Sequence, residues 1–251
     1  MRTFKRALII GLPAVLLVGS LTLNWFLFRR GRWYYAQLNA LRLDPLGLGA
    51  YPAPSSQVEP ATTDATTVVF FGDSRAATWP SPDIGGFAFI NRGVGGETSA
   101  QGALRFDHHI EPLRPQIIVI QTGINDLKTI PLFPEGEADI TRNCAANIEQ
   151  IVAKSKGMGA IVIVTTIFPI GEVPLDRRPF WSDDVGAAID EVNTHLWSLE
   201  GEGIHVLDGY GTLVGSDGKI KPEYSHDLLH LNDAGYERLN EELTQLLAGL
   251  R

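Results

Sequence analysis

The chain has 251 residues, 44% of them hydrophobic and 20% charged, with a formal net charge of −8. That length fits one large domain or two small ones, and 26 Gly with 15 Pro exclude collagen-like and low-complexity classes. A single cysteine, Cys144, excludes an internal disulfide framework and any cysteine-based zinc cluster. Charge is uneven along the chain. Residues 1–60 hold seven Lys/Arg against Asp44 and Glu59, whereas residues 61–251 hold 14 basic and 27 acidic residues. So acidic a segment lacks the clustered cations on which nucleic-acid affinity depends, and no nucleic-acid partner is expected.

A basic tail (1–6) with Arg2, Lys5 and Arg6 precedes 22 uncharged residues, Ala7 to Phe28. At ~1.5 Å per residue that run crosses a hydrocarbon core of ~30 Å, so 7–28 reads as one transmembrane helix. Pro13 and Asn24 are tolerable there. Trp25, Trp33, Tyr34 and Tyr35 fall where an interfacial aromatic belt belongs. A cleaved signal peptide would have an apolar region of ~7–15 residues ending in small residues. This run ends in Asn24-Trp-Phe-Leu-Phe-Arg-Arg, which favours an uncleaved single-pass anchor. Basic residues flank it on both sides, and the short leading tail resembles the start of an export signal, placing the following domain outside the cytoplasm. Within a juxtamembrane segment (29–48), the leucines at 38, 41 and 43 predict a short interfacial helix ended by Pro45 and Gly47. Residues 49–66, rich in Pro, Ser, Thr and Ala, read as a linker.

From residue 67 onward, continuous apolar runs alternate with amphipathic stretches. Strands buried on both faces are predicted at Thr67–Phe71, Phe87–Asn91, Gln116–Gln121, Ala160–Thr166 and Ile204–Leu207. Helices are predicted near 98–109, 139–157, 184–199 and 233–248, with Thr98, Asp139 and Asn232 as starting caps. Strand–helix alternation of this kind predicts an α/β domain with a parallel sheet covered on both faces.

Four loops carry residues suited to chemistry. Ser74 in Phe71-Gly-Asp-Ser stands at the end of the first strand, at the ligand-binding rim of such sheets. Asn91-Arg-Gly-Val-Gly-Gly-Glu-Thr98 offers small residues where a backbone can approach a substrate. Asn125 in Gly123-Ile-Asn-Asp126 offers a side-chain amide to developing negative charge. Asp227 and His230, three apart on a helical turn, are close enough for a carboxylate to fix the imidazole tautomer. His226-Asp-Leu-Leu-His230 superficially resembles a zinc-protease helix, but between Pro222 and Asn232 it is too short for one, and no metal is assigned.

Taken in this order, Ser74, the glycine loop, Asn125 and Asp227-x-x-His230-Leu-Asn-x-x-Gly235-Tyr236 closely resemble the SGNH (GDSL-type) hydrolase family over about residues 67–248. The resemblance implies a hydrolase domain at 67–251 with a three-layer α/β/α sandwich around a flavodoxin-like, five-stranded parallel sheet. It implies Ser74 as nucleophile, His230 as base and Asp227 as its partner. Ser74, Gly96 and Asn125 would form the oxyanion hole, with Gly95 beside Gly96 leaving a one-residue ambiguity. No metal or organic cofactor is required. Arg75 departs from the Leu usual after the serine, and reads as a partner to a carboxylate or a site for a substrate anion. The expected function is an esterase cleaving short-chain acyl or acetyl esters of lipid, glycan or small molecules. An O-acyltransferase and a non-catalytic tethered module are the alternatives, and all expected catalytic positions being filled counts against the latter. His108, His109, His195 and His205 read as surface or core residues, and Cys144 as a small core residue. Phe168–Ser182 is long enough to be a lid or an ordinary connection. The sequence fixes no oligomeric state.

Overall fold

A computed structural model describes residues 2–51 and 65–250 of the chain. The chain falls into two units, Met1–Pro45 and Leu46–Arg251. The first is a single helix, α1 (Arg2–Leu43), so the short interfacial helix expected within 29–48 is instead the continuation of the apolar one, as far as Leu43. Pro13 lies inside it without ending it. Its stretch Gly11–Leu43 contains 18 residues of mean hydropathy 1.7 and is long and apolar enough to cross a membrane. Polar side chains in it turn back on their own helix, Asn24 Nδ2 donating to the Ser20 carbonyl and Thr22 Oγ1 to that of Val18. The Arg29 and Arg30 guanidinium groups lie over the rings of Trp25, Trp33 and Tyr34 at 5.0–5.9 Å, keeping cationic heads close to amphipathic rings.

The second unit is built on five parallel strands: β1 (Thr66–Gly72), β2 (Phe87–Gly93), β3 (Ile117–Gln121), β4 (Ile161–Thr165) and β5 (Ile204–Leu207). Their order is β2-β1-β3-β4-β5, all pairs parallel. Alternate residues of each strand enter two separate cores. Val69, Phe71, Ile118, Ile120, Val162 and Val164 face one; Val68, Phe70, Ile117, Val119 and Ile163 face the other. The first core is covered by α3 (Ser99–His109), α5 (Glu137–Gly157) and α6 (Asp184–Trp197), the second chiefly by α8 (Asp233–Gly249), which follows the short α7 (Gly209–Leu213). Continuous apolar strands are thus the consequence of helices on both faces. The five predicted strands and four long helices are all present.

The differences lie at the ends and in the short elements. Thr98 and Asn232 cap α3 and α8 as expected, accepting from the Gln101 and Gly235 N–H groups. Asp139 does not cap α5. That helix starts after Gly136, and Asp139 sits in its first turn, where a carboxylate favours the helix dipole. Residues 227–230 are not helical but a bend closed by a bridge between Ser225 and Leu231. Residues 52–64 of the expected linker lie outside the described residues. Its first residues are bound to the domain: Leu48–Ala50 make one 3-10 turn, and the Tyr51 hydroxyl donates to the Gly93 carbonyl.

Register sets up the site. Gly72 pairs with Gly93 on one side and Gln121 on the other, so the loops after β1, β2 and β3 leave the sheet side by side. β1 lies between β2 and β3 in the order, so connections depart from it in opposite directions, the place where such sheets bind ligands.

Candidate active site

At the end of β1 the chain passes so close over β3 that only glycine fits. Gly72 has φ +145°, and a Cβ there would lie 1.8 Å from the Gln121 carbonyl oxygen. Asp73 then caps the short helix α2 (Ser74–Ala77), its Oδ1 accepting from the Arg75 N–H at 2.8 Å. Ser74 is therefore the first residue of a helical turn at the sheet rim, half-buried, with its N–H among those a helix start leaves free.

Ser74 Oγ lies 3.0 Å from His230 Nε2. His230 Nδ1 lies 2.9 and 3.0 Å from the two carboxylate oxygens of Asp227. Asp227 Oδ1 also accepts from the N–H groups of Leu229 and His230, both at 2.8 Å. Partial burial opposes ionisation of Asp227, but those backbone donors and the imidazole hold its pKa down to about 2. With Nδ1 bonded to a carboxylate, Nε2 is left to accept the serine proton. The three residues form one hydrogen-bonded chain across 156 positions of sequence.

The other two loops converge on Ser74. After β2, Val94 N–H donates back to the Gly72 carbonyl at 2.8 Å, and Glu97 N–H closes a turn onto Val94. Gly95 passes against Ser74, since a methyl built on it would meet the Ser74 Cβ at 4.0 Å. Gly96, with φ +80°, faces open space. Among the described residues, the Ser74 and Gly96 N–H groups have no intramolecular acceptor. After β3, Asn125 is the second residue of α4 (Ile124–Leu127) and is buried. Its Nδ2 donates to the Glu97 carbonyl at 2.9 Å, and its Oδ1 accepts from Lys128 Nζ. A lysine can only donate, so this pair fixes which end of the amide faces which neighbour. One Nδ2 hydrogen remains for a ligand.

Several supporting residues were not singled out from sequence. Asp126 receives both the N–H and the hydroxyl of Ser99, at 2.8 and 2.7 Å, and so ties the β3 loop to the start of α3. Glu97 forms a fully buried pair with Arg105, whose Nη2 also reaches the Gly72 carbonyl at 3.2 Å. Lys128, three residues after Asn125, had a helical-spacing signal. The Glu97–Arg105 pair had none, because Glu97 precedes α3 and Arg105 lies eight residues on within it, beyond the three- and four-residue spacing of helical neighbours. Arg75 is neither partnered by a carboxylate nor open to a substrate anion. It is fully buried and donates to the carbonyls of Leu229, Phe168 and Pro169.

The remaining candidates fall where expected. His195 pairs with Glu149 at 3.0 Å, His205 lies 3.7 Å from Glu200, and His108 is exposed. Burial beside Arg105 pushes His109 down to about 4, keeping it neutral. Cys144 is buried in the core, with its thiol pKa raised by burial. The 168–182 segment is anchored at its base, where Phe168 is buried and Gly171 N–H donates to the Leu228 carbonyl at 2.7 Å.

The model of the GDSL-like Lipase/Acylhydrolase family matches residues 63–238. The chain belongs to that family. It is 27% identical over 192 residues to platelet-activating factor acetylhydrolase IB subunit alpha2 of Homo sapiens, covering 73% of this chain and 76% of that protein. Among solved structures it resembles a GDSL-like lipase from Bacteroides thetaiotaomicron. That match has TM-score 0.59 and 22% identity, over 87% of this chain and 97% of the other. It also resembles an acetyl xylan esterase, with TM-score 0.54 and 17% identity, over 72% and 99% of the two chains. This GDSL acylhydrolase is an ester-bond hydrolase with the fold of its family.

Proposed function

We propose that Ser74 attacks the carbonyl of a short-chain acyl ester. His230 Nε2 takes the hydroxyl proton, and Asp227 holds the resulting imidazolium. The tetrahedral oxyanion then sits between the Ser74 N–H, the Gly96 N–H and the free Nδ2 hydrogen of Asn125. His230 returns the proton to the departing alcohol. Water, activated by the same imidazole, releases the acid from Ser74. The observation that carries this reading is the single chain Ser74 Oγ–His230–Asp227, with contacts of 2.9–3.0 Å.

A short acyl group is supported by the loop at 168–182, whose Glu172 is held by Lys219 and faces Arg178 at 3.6 Å. So charged a neighbourhood suits a polar alcohol and a small acyl group. The 27%-identical relative is named for removing an acetyl group, in keeping with that preference. The helix α1 serves as a single-pass anchor, with the hydrolase domain outside the cytoplasm and esters of lipid head groups or envelope glycans within reach.

The test is hydrolysis of p-nitrophenyl acetate, butyrate, octanoate and dodecanoate, as monomers, by the full chain in nanodiscs. Acetate or butyrate is cleaved fastest, and Ser74→Ala is inactive. Turnover by folded Ser74→Ala overturns the nucleophile, and a preference for C12 overturns the chain length. An acyltransferase would form an acylated product when a sugar acceptor is added, at the expense of free acid. Digestion by external protease after outer-barrier permeabilisation tests the placement of the domain; protection reverses it.

A further inference from the structure

The bond between Ser74 and His230 joins a residue at the start of a helical turn to one on an irregular bend. Within the bend, Asp227 caps two N–H groups, Ser225 Oγ donates to the Asp227 carbonyl, and Ser225 bridges Leu231. These contacts shape the bend from within, and Gly171 N–H holds its Leu228 carbonyl from the 168–182 segment. What reaches across is Arg75. Its Nε donates to the Leu229 carbonyl at 2.7 Å, while Nη1 and Nη2 donate to the carbonyls of Phe168 and Pro169, both at 3.1 Å. The guanidinium also lies 5.3 Å from the centre of the Phe168 ring.

The chain positions are what make this contact informative. Arg75 follows Ser74 directly, and Leu229 precedes His230 directly. One side chain therefore ties the neighbour of the hydroxyl to the neighbour of the imidazole. At its own end Arg75 is fixed by backbone: its N–H is capped by Asp73, and its carbonyl accepts from the Tyr236 hydroxyl at 2.9 Å. A guanidinium is planar and presents its donors in a fixed fork, so three carbonyls on two segments are held in one geometry. Burying such a cation is costly, a cost that a site needing only packing would avoid with an apolar side chain.

We propose that Arg75 is a positioning residue that sets the catalytic bend against the nucleophile, holding His230 Nε2 at hydrogen-bond distance from Ser74 Oγ. The proposal rests on the Ser74–His230–Asp227 reading. Because the Asp227–His230 bond is internal to the bend, loss of Arg75 moves that pair as a unit rather than breaking it. An error of about 1 Å in such a placement costs about a hundredfold in rate.

The experiment compares the full chain in nanodiscs with Arg75→Met, Arg75→Lys and Ser74→Ala on p-nitrophenyl acetate. Rates are taken per folded molecule, with the imidazole Nδ1–H proton resonance of His230 followed by NMR. Expected for Arg75→Met are a kcat lower by about a hundredfold, a KM changed less than about threefold, and a retained Nδ1–H resonance. Arg75→Lys, with one ammonium for three carbonyls, falls between. Wild-type kcat in folded Arg75→Met, with only a lowered Tm, overturns the proposal. If Arg75→Met does not fold, Arg75→Lys decides by the same readouts. Activity in Ser74→Ala overturns the catalytic reading itself, whatever the Arg75 variants do.

Discussion

Two carboxylates near Ser74 respond to pH in opposite directions. Asp227, with its pKa lowered to about 2, contributes stability that is present above its ordinary value and lost as pH falls through 2. Asp73 is buried with Oδ2 unpaired, and burial outweighs the nearby Arg75 charge to raise it to about 6. Its contribution is fully present below 3.8 and is lost as pH rises through 6. A shift of that size corresponds to at most about 3 kcal/mol. Asp73→Asn keeps an oxygen to cap Arg75, so denaturant melts between pH 4 and 7 should show a flatter decline than wild type. An unchanged slope would show that Asp73 does not titrate there. Asp227→Asn keeps an acceptor for the backbone N–H groups but favours the wrong imidazole tautomer. Its kcat on p-nitrophenyl acetate should fall by about 10⁴-fold with the fold intact. The residues making this chain of bonds were legible in sequence because each belongs to a short motif. Arg75 was visible only as an oddity, since its carbonyl partners have no side-chain signature.

At the scale of elements, the central strands β1, β3 and β4 were legible because they are buried on both faces, whereas the edge strands β2 and β5, expected to be buried likewise, are only partly covered. The four long helices were legible because each has one apolar face. Short elements escaped for a physical reason. α2 and α4 are four residues each, too short for helical periodicity, and are held by tertiary contacts such as Asn91 Nδ2 to the Ala76 carbonyl at 2.8 Å. The Asp227–His230 pair satisfies helical spacing yet lies on a bend, because Asp227 bonds the N–H groups ahead of it instead of leaving them to a helix. The element most exposed to single-residue failure is the loop after β2. Glu97 closes its turn, offers its carbonyl to Asn125, and pairs with buried Arg105, which in turn holds the Gly72 carbonyl. Burial holds the Glu97 pKa up at about 7 even beside Arg105, so Arg105→Met leaves a buried carboxyl that must take up a proton, at a cost of at most about 3–5 kcal/mol and less at lower pH. Urea unfolding should show that loss, and kcat of the folded fraction should drop as the Gly96 and Asn125 donors lose their support. A loss below about 1 kcal/mol would mean the pair is hydrated and mechanically idle.

On the scale of the whole molecule, the hydrolase domain begins earlier than the linker composition suggested. The stretch 49–66 reads as a linker because Pro, Ser, Thr and Ala predominate, and composition does not register one anchoring aromatic. Tyr51 is that anchor. Its hydroxyl donates to the Gly93 carbonyl at 2.7 Å, its ring meets His109 edge-on at 5.7 Å, and the Arg92 guanidinium lies 4.7 Å from its centre. Just upstream, Gly47 packs on Val94 with φ +63°, and Val94 belongs to the loop that presents Gly95 and Gly96. A part-buried hydrogen bond, an aromatic pair and a cation–π contact together are worth about 2 kcal/mol. In a domain of this size that corresponds to a Tm lower by about 4–8 °C for Tyr51→Ala. Tyr51→Phe, losing only the hydroxyl, should fall by about half as much. The same contacts dictate where the domain can be cut. A chain starting at Leu46 should be soluble, active and as stable as the second unit of the intact protein. A chain starting at residue 61 should melt lower by the Tyr51→Ala difference and cleave p-nitrophenyl acetate more slowly, because the turn behind Gly95 and Gly96 has lost its outer support. Equal melting temperatures for the two truncated chains would show that residues 46–51 add nothing to the domain and that the hydrolase starts at β1.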